Sequence, residues 1–192
     1  MSSPFKRIGV LGAGAMGRGI VQLYSQAGFE VVLHDAQAAA MEAAINYLQQ
    51  TFDKLVEKGR MTDDARQQAL ARVTCADSMQ GFSDCDLVIE AIIERIEVKR
   101  EVFCTLESVV SSEAILVSNT SSLSITAIAA ACERPSLIAG YHFFNPVPLM
   151  KVVEVVRAPR TDDAVVERLV ALTRAVGHTP VVCQDTPGFI VK

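Results

Sequence analysis

Residues 5–17 read FKRIGVLGAGAMG, and this stretch decides the fold. It opens with an apolar run that is too short for a helix and that stops at a glycine. Beyond the stretch, apolar residues recur at helical spacing as far as Gly28, a residue type that often terminates helices. The sequence therefore predicts a strand, a glycine-rich turn and a helix in direct succession.

The turn carries three glycines, Gly12, Gly14 and Gly17, and their spacing has a physical basis. In turns that bind dinucleotides, the first glycine permits a tight bend and the second lets the backbone approach a pyrophosphate. The third lets helix and strand pack closely. The unpaired amides that begin the helix, with about half a positive charge from the helix dipole, favour a phosphate at that point. The strand before and the helix after strengthen a pattern that is weak alone.

Asp35 supplies the second part of this pattern. It closes the apolar run Val31–Leu33 and follows Gly17 by 18 residues. A carboxylate there can accept hydrogen bonds from both hydroxyls of an adenosine ribose, and it would repel a phosphate on that ribose. No arginine stands beside it, and His34 is the nearest possible cation. The sequence therefore predicts NAD rather than NADP, with a tight turn that binds no ligand as the alternative.

The rest of the chain continues to alternate between strand and helix. A long amphipathic helix is predicted from Met41 to Val56, closed by Gly59. The segment Asn145-Pro-Val-Pro148 cannot be helix or central strand, because proline lacks an amide donor, so it should turn the chain between two strands. The further predicted elements are strands at Leu87–Ala91, Ile115–Ser118, Leu137–Phe144, Val152–Val156 and Val181–Cys183, and helices at Glu97–Val110, at Ser124–Ala131 and after a cap near Asp162.

This order of elements predicts an α/β fold of the Rossmann type. We expect a doubly wound, mostly parallel sheet with helices on both faces and an irregular far edge. The sequence contains no repeat and no flexible linker, so residues 1–192 should form a single domain.

The composition excludes several classes of protein. Half of the 192 residues are hydrophobic, the net charge is −4, and the charges are scattered, which argues against a disordered chain, a nucleic-acid partner and an anionic membrane surface. No apolar run approaches the roughly 20 residues of a membrane span. The five cysteines are widely spaced and form no Cys-x-x-Cys pair, which argues against a disulfide framework and a metal site. We expect small apolar cysteines in a reducing compartment and a cytoplasmic protein without a signal peptide.

Three polar features follow predicted strands at the carboxyl edge of the sheet, where ligands bind in such folds. Ser118-Asn-Thr-Ser-Ser122 could cap a helix just before Leu123, or turn one serine toward a ligand. His142 is either a satisfied core residue or a base. Glu154 is an isolated carboxylate in an apolar strand, which is costly unless it is paired. The turn at 145–148 could bring Glu154 to face His142.

A histidine–glutamate pair of this kind has a clear chemical use. The carboxylate fixes the tautomer of the imidazole and stabilises the imidazolium that forms when it takes a proton. Such a base contributes roughly 100- to 10,000-fold in rate. Beside a nicotinamide ring, it would deprotonate a hydroxyl while hydride leaves the same carbon.

Six blocks of the sequence together resemble the NAD-binding domain of the L-3-hydroxyacyl-CoA dehydrogenases, including bacterial 3-hydroxybutyryl-CoA dehydrogenases. The resemblance extends over the whole chain, and the last four blocks are typical of the family rather than of the fold alone. The blocks are GAGAMGRGI, Asp35, AIIERIEVK, SNTSSLSIT, GYHFFNPVPLMKVVEVV and DTPGFIV.

The resemblance implies a role for each matching residue. His142 is similar to the family's catalytic base, Glu154 to its partner, and Ser121 to the serine that hydrogen-bonds the substrate oxygen near the nicotinamide. From the residues alone, Glu94 and Lys99 would be read as solvated charges. The implied NAD contacts are Gly12, Ala13, Gly14, Ala15, Met16 and Gly17 along the pyrophosphate, Asp35 at the ribose, and Ile92, Ile93, Glu94, Lys99, Ser121 and Asn145.

The long helix resembles the CoA-binding helix of the family. Lys58 would meet the CoA phosphates and Thr51 would assist, while a solvated helix end is the alternative. Lys54 lies four residues away on the same face and could substitute for Lys58.

The resemblance breaks at the last residue. The family continues DTPGFIV with an asparagine that resembles a ligand of the thioester carbonyl, and then with a helical domain that dimerises and closes the cleft. This sequence has Lys192 at that position and stops. We expect a fragment with weak or no turnover alone, from a full-length protein that forms a homodimer. An exposed Phe189 and Ile190 would then favour non-native association.

The activity implied is NAD-dependent oxidation of (3S)-3-hydroxyacyl-CoA to 3-oxoacyl-CoA, in fatty-acid β-oxidation, butanoate metabolism or aromatic-acid degradation. A related alternative is the dehydrogenation of a non-CoA 3-hydroxy compound such as carnitine. An alternative of another class is a non-catalytic NAD-binding module. A methyltransferase could share the glycine turn, but the sequence resembles none of its other motifs.

Overall fold

The computed structural model describes residues 5–190. Strands and helices alternate along most of the chain, as the sequence predicts. The strands are β1 (Arg7–Leu11), β2 (Glu30–His34), β3 (Val73–Cys75), β4 (Leu87–Glu90), β5 (Ile115–Ser118), β6 (Ile138–Phe143), β7 (Val152–Arg157) and β8 (Thr179–Gln184). The helices are α1 (Ala15–Gln26), α2 (Ala38–Glu57), α3 (Asp63–Ala71), α4 (Ile96–Val109), α5 (Ile125–Ala129) and α6 (Asp163–Ala175), with 3₁₀ turns at Met79–Phe82 and Pro135–Leu137.

The described strands form one sheet in the order β3-β2-β1-β4-β5-β6-β7-β8. Neighbours from β3 to β6 are parallel, β7 runs antiparallel to β6, and β8 is parallel to β7. This arrangement confirms the Rossmann-type, mostly parallel sheet. The irregularity of the far edge lies in strand direction, because β7 and β8 are both regular strands of six residues.

The reversal between β6 and β7 follows from the proline-containing turn. The amides of Leu149 and Met150 both donate to the carbonyl of Pro146, which closes the turn. Because β7 then runs back beside β6, His142 and Glu154 occupy opposite positions in the ladder. The turn therefore brings together the two residues that the sequence analysis paired.

Two apolar cores cover the two faces of the sheet. Successive side chains of a strand point to opposite faces, so each central strand contributes to both cores. One core packs the sheet against α1, α2 and α6, and the other packs it against α4 and α5. Helices therefore lie on both faces, as predicted.

The region between α2 and β4 contains a helix, a strand and a 3₁₀ turn that were not predicted from the sequence. Helix α3 begins after Thr62, whose side chain accepts a hydrogen bond from the amide of Ala65. Strand β3 then adds an edge strand beside β2. The signal for α3 was present in Thr62-Asp-Asp64, a capping residue followed by acids in the first turn.

The N-cap of α6 is Asp162, as predicted, and its side chain makes no capping hydrogen bond. The expectation for the cysteines needs correction. Cys85 and Cys183 are buried, whereas Cys75 and Cys104 are exposed and therefore are not core residues.

Within residues 5–190, no His, Cys, Asp and Glu side chains cluster in a way that could hold a metal ion. No helix in this part of the chain is long and apolar enough to cross a membrane.

Candidate active site

The glycine turn packs as its spacing predicts. Gly12 has a positive φ of 107°, and a Cβ there would lie 2.5 Å from the carbonyl oxygen of Ala91. A Cβ on Gly17 would lie only 1.8 Å from the carbonyl oxygen of Gly12, so β1 and α1 require glycine at both places. Gly14 is different, because a Cβ there would meet nothing within 4 Å. The space next to Gly14, at the start of α1, is therefore open.

The beginning of α1 is suited to an anion. Its N-cap is Gly14, no side chain caps the helix, and the first turn contains no acidic residue. The amides that begin a helix have no partner within it, and the helix dipole adds positive potential. This part of the structure fits the pyrophosphate of a dinucleotide.

Asp35 is tied to the glycine turn by backbone hydrogen bonds. Its Oδ2 accepts from the amide of Ala13 at 2.8 Å, and its Oδ1 accepts from the amide of Gln37 at 2.9 Å. The sequence analysis did not foresee this use of the carboxylate. A carboxylate offers about four acceptor positions, so Asp35 retains acceptor capacity while the two amides fix its orientation.

Asp35 borders a cavity of about 430 Å³. The glycine turn and the end of β2 form one side, and apolar side chains of α4 and of the loop between β4 and α4 form the other. No lysine or arginine is among the residues from 5 to 190 that line it, which suits a ribose without a phosphate. Lining residues include Gly12, Gly14, His34, Asp35, Met79, Ile92, Ile93, Val98 and Val102.

A second cavity of about 390 Å³ lies at the carboxyl ends of β4, β5 and β6. It adjoins the first, because Ala91 and Ile92 line both. It brings together most of the site residues expected from the second half of the chain. These are Ile92, Glu94, Lys99, Ser121, His142 and Asn145, with Met16 from the glycine turn.

A buried cluster of charges supports one wall of this second cavity. Lys99 is 1% exposed, and its Nζ lies 2.5 Å from Oε1 of Glu90 and 3.3 Å from Oε2 of Glu94. The interpretation of Lys99 as a solvated charge is therefore wrong. Glu90 is fully buried and also accepts from the Ser118 hydroxyl at 2.6 Å and from the amide of Ile92 at 2.8 Å. Glu90 was not among the predicted site residues, although an isolated acid in the predicted apolar strand Leu87–Ala91 is the same kind of signal as Glu154.

Glu94 connects this cluster to the serine-rich turn. Its Oε1 accepts from the hydroxyl of Thr120 and, at 3.1 Å, from the amide of Ser121. Burial raises the pKa of Glu94, but these hydrogen bonds and the charge of Lys99 lower it, and the net pKa lies below the ordinary value. Glu94 is therefore ionised at neutral pH and holds the backbone of Ser121 in place.

The serine-rich turn is organised by Thr120. Its hydroxyl oxygen accepts from the amides of Ser122 and Leu123. The cap of α5 is Ser124, which accepts from the amide of Ala127 at 3.2 Å, so the alternative of a helix cap just before Leu123 does not hold. Ser121 caps nothing among the described residues, and it lines the second cavity.

His142 and Glu154 form a close pair at the same cavity. The Nδ1 atom of His142 lies 2.7 Å from Oε2 of Glu154, which is fully buried. Because a carboxylate only accepts, Nδ1 carries the proton, and Nε2 of the neutral ring has a free lone pair. The rings of Phe144 and Phe189 lie near the imidazole, with centroids 4.5 and 6.0 Å away. Phe189 is buried rather than exposed, which corrects that expectation, whereas Ile190 is exposed.

The remaining residues that were predicted to bind substrate do not line either cavity. Thr51 lies in the last two turns of α2, and Lys58 is the exposed C-cap of that helix. Neither lines the first or the second cavity, and Lys54 is also exposed and outside them. Position 192, where the sequence has lysine, lies outside the described residues.

A larger hollow of about 540 Å³ lies elsewhere, near the amino ends of β1 and β2. Arg7 and Arg72 line it. Arg7 is paired with Glu30 at 2.7 Å, and Arg72 donates to the carbonyl of Ser25 at 3.2 Å. Since both cations already have partners and no candidate base is near, this hollow is not the candidate active site.

Comparison with known proteins agrees with this geometry. Residues 7–186 match the model of the family described as 3-hydroxyacyl-CoA dehydrogenase, NAD binding domain. A probable 3-hydroxybutyryl-CoA dehydrogenase of Deinococcus radiodurans is 44% identical over 96% of this chain and 66% of its own length. A 3-hydroxybutyryl-CoA dehydrogenase of Bradyrhizobium diazoefficiens is 42% identical over 100% of this chain and also 66% of its own length.

Solved structures show the same likeness. The crystal structure of 3-hydroxybutyryl-CoA dehydrogenase from Escherichia coli K12 superposes with a TM-score of 0.95 and is 41% identical. The match covers 97% of this chain and 39% of that one. The chain therefore spans about two thirds or less of the proteins that it resembles here.

Proposed function

The chain belongs to the 3-hydroxyacyl-CoA dehydrogenase family, and we propose that its protein oxidises (3S)-3-hydroxyacyl-CoA esters to 3-oxoacyl-CoA esters with NAD. Residues 1–192 would serve as one NAD-binding domain within that enzyme. The observation that carries the proposal is the His142–Glu154 pair, 2.7 Å apart, at a cavity that adjoins the dinucleotide site. NAD, when bound, supplies the acceptor for hydride.

The residues of the first cavity support binding of the adenosine half. The amides at the start of α1 would hold the pyrophosphate, and Asp35 would accept hydrogen bonds from the ribose. The apolar side chains of Ile92, Ile93 and Val98 would pack against the adenine ring. The nicotinamide half would then extend past Met16 into the second cavity, toward Ser121 and Asn145.

His142 is the proposed general base. Its Nε2 would take the proton of the 3-hydroxyl group while hydride leaves the same carbon, so that the C–O single bond becomes a carbonyl. The buried Glu154 carboxylate would stabilise the imidazolium formed in this step. Ser121 would donate a hydrogen bond to the reacting oxygen and keep it within reach of the imidazole.

Recognition of the CoA moiety is also part of the proposal. Lys58, with Thr51 or Lys54 nearby on α2, would meet the phosphates of CoA as charges on a helix end. A helical domain that closes the cleft and forms a homodimer belongs to the same proposal, as do a cytoplasmic location and a role in β-oxidation or a related pathway.

The substrate test uses the absorbance of NADH. A chain that carries the helical domain should oxidise NADH with acetoacetyl-CoA and show little activity with 3-dehydrocarnitine. The reverse preference would favour the carnitine alternative. Tight NADH binding without turnover of either compound would favour the non-catalytic module. The 192-residue chain alone should bind NADH and turn over weakly, and a turnover equal to that of the longer chain would contradict this part.

A further inference from the structure

The segment 185–190, DTPGFI, follows β8 and is tied to α5 at its first residue. The carboxylate of Asp185 accepts from the amides of Ile125 and Thr126 at 2.9 and 2.7 Å. It also accepts from the hydroxyls of Ser124 and Thr126 at 3.0 and 2.5 Å. One side chain thereby fixes the beginning of the segment.

Asp185 shares the capping of α5 with Ser124. Ser124 accepts from the amide of Ala127, and Asp185 accepts from the amides of Ile125 and Thr126. Burial raises the pKa of Asp185, but the hydrogen bonds from Thr126, Ile125 and Ser124 lower it below the ordinary value. The carboxylate is therefore charged at neutral pH and holds the segment under the conditions in which a histidine base would work.

The other end of the segment lies against the His142–Glu154 pair. The amide of Ile190 donates to Oε1 of Glu154 at 3.1 Å, while Oε2 of the same carboxylate faces Nδ1 of His142. Phe189 is buried beside the imidazole and has a positive φ of 51°. A non-glycine residue keeps such a backbone conformation only where the surrounding contacts hold it.

The two oxygens of Glu154 therefore have different partners: Oε1 accepts from the Ile190 amide, and Oε2 faces Nδ1 of His142. The Ile190 amide restrains rotation of the carboxylate, which keeps Oε2 directed at the imidazole. The segment also covers the pair, since Glu154 is fully buried and Phe189 is 8% exposed. If the segment moved away, Oε1 would lose the Ile190 amide and water could reach the carboxylate.

We propose that Asp185 is a positioning residue for the His142–Glu154 pair, because it anchors the segment whose Ile190 amide orients Glu154. The consequence for activity rests on the proposed function, in which His142 is the base. The effect on the state of the imidazole does not depend on that function and can be measured separately.

The direct readout is the proton on Nδ1 of His142, observed by NMR in the isotope-labelled 192-residue chain. In the unaltered chain this proton should exchange slowly and resonate far downfield, because it is shared with a buried carboxylate. In Asp185→Ala the resonance should be lost. Asp86→Ala is the matched control, since Asp86 also accepts two backbone amides, those of Lys6 and Arg7, but lies away from the cavity. The control should keep the resonance.

Asp185→Asn provides a second variant in case Asp185→Ala does not fold. It retains one acceptor oxygen, so its Nδ1 proton should exchange faster than in Asp86→Ala. An unchanged Nδ1 resonance in Asp185→Ala, or in Asp185→Asn if only that variant folds, would overturn the proposal.

Turnover separates this inference from the proposed function. In a chain that carries the helical domain, Asp185→Ala should lower turnover about tenfold to hundredfold, while NADH affinity stays unchanged. Loss of the Nδ1 resonance without loss of turnover would support the positioning role and contradict His142 as the base. Loss of turnover in His142→Gln, with an intact Nδ1 resonance in Asp185→Ala, would support the base and overturn the positioning role.

Discussion

The two halves of the candidate active site are built in different ways. The dinucleotide half consists mainly of backbone: a glycine turn, the start of α1 and a carboxylate that is held by two amides. The reaction half consists of side chains from α4, β6 and β7 and from the loops that follow β4 and β5. The first half therefore depends on local backbone geometry, whereas the second depends on buried charges that stabilise each other.

The largest effect on stability should come from breaking the buried pair of the reaction half. Lys99→Met leaves Glu90 as a fully buried carboxylate without its cation, which should lower the free energy of unfolding by about 3–5 kcal/mol. Urea unfolding followed by circular dichroism measures this loss. The double variant Glu90→Gln with Lys99→Met is the control. It should recover part of the loss, because no uncompensated charge remains in the core.

An intermediate effect is expected in the dinucleotide half. Asp35→Ala removes the acceptor of two backbone amides, which should lower the free energy of unfolding by about 1–3 kcal/mol even without NADH. It should also weaken NADH binding in a fluorescence titration. Asp77→Ala is the control, since Asp77 is exposed and lines neither half of the site, and should change stability by less than about 0.5 kcal/mol. Equal stability of the two variants would show that Asp35 does not support the turn.

The smallest effect is a pH dependence at the border between the halves. The pKa of Glu94 is lowered in the folded chain, so its contribution to stability is present above the unfolded pKa and is lost as pH falls through the folded pKa. Glu94→Gln should therefore lower the free energy of unfolding at neutral pH by less than about 1 kcal/mol, because the side chain is 40% exposed. The difference should vanish in acid. A difference that grows as pH falls would contradict the direction of the shift.

The dinucleotide half could be predicted from sequence because its signals are local. Gly12 and Gly17 stand beside the strand and the helix that they connect, and Asp35 directly follows the next strand. The pairing of His142 with Glu154 could also be predicted, since a short proline-containing turn between two strands favours an antiparallel pair.

The supporting residues of the reaction half could not be predicted in the same way. Lys99 lies on an amphipathic helix, and the sequence does not show that its ammonium turns inward to Glu90. Asp185 follows an edge strand, and its partners lie about 60 residues earlier in the chain. Such contacts depend on which loops meet at the end of the sheet, and this is decided by packing rather than by local pattern.

The most direct test of the central claim is a comparison of His142→Gln with His178→Gln in a chain that carries the helical domain. His178 is also buried, but its ring contacts the carbonyl of Val147 and lines neither half of the site. We predict that His142→Gln binds NADH as the unaltered protein does and loses about 100- to 10,000-fold in turnover, whereas His178→Gln retains turnover. Unchanged turnover in His142→Gln would contradict the account.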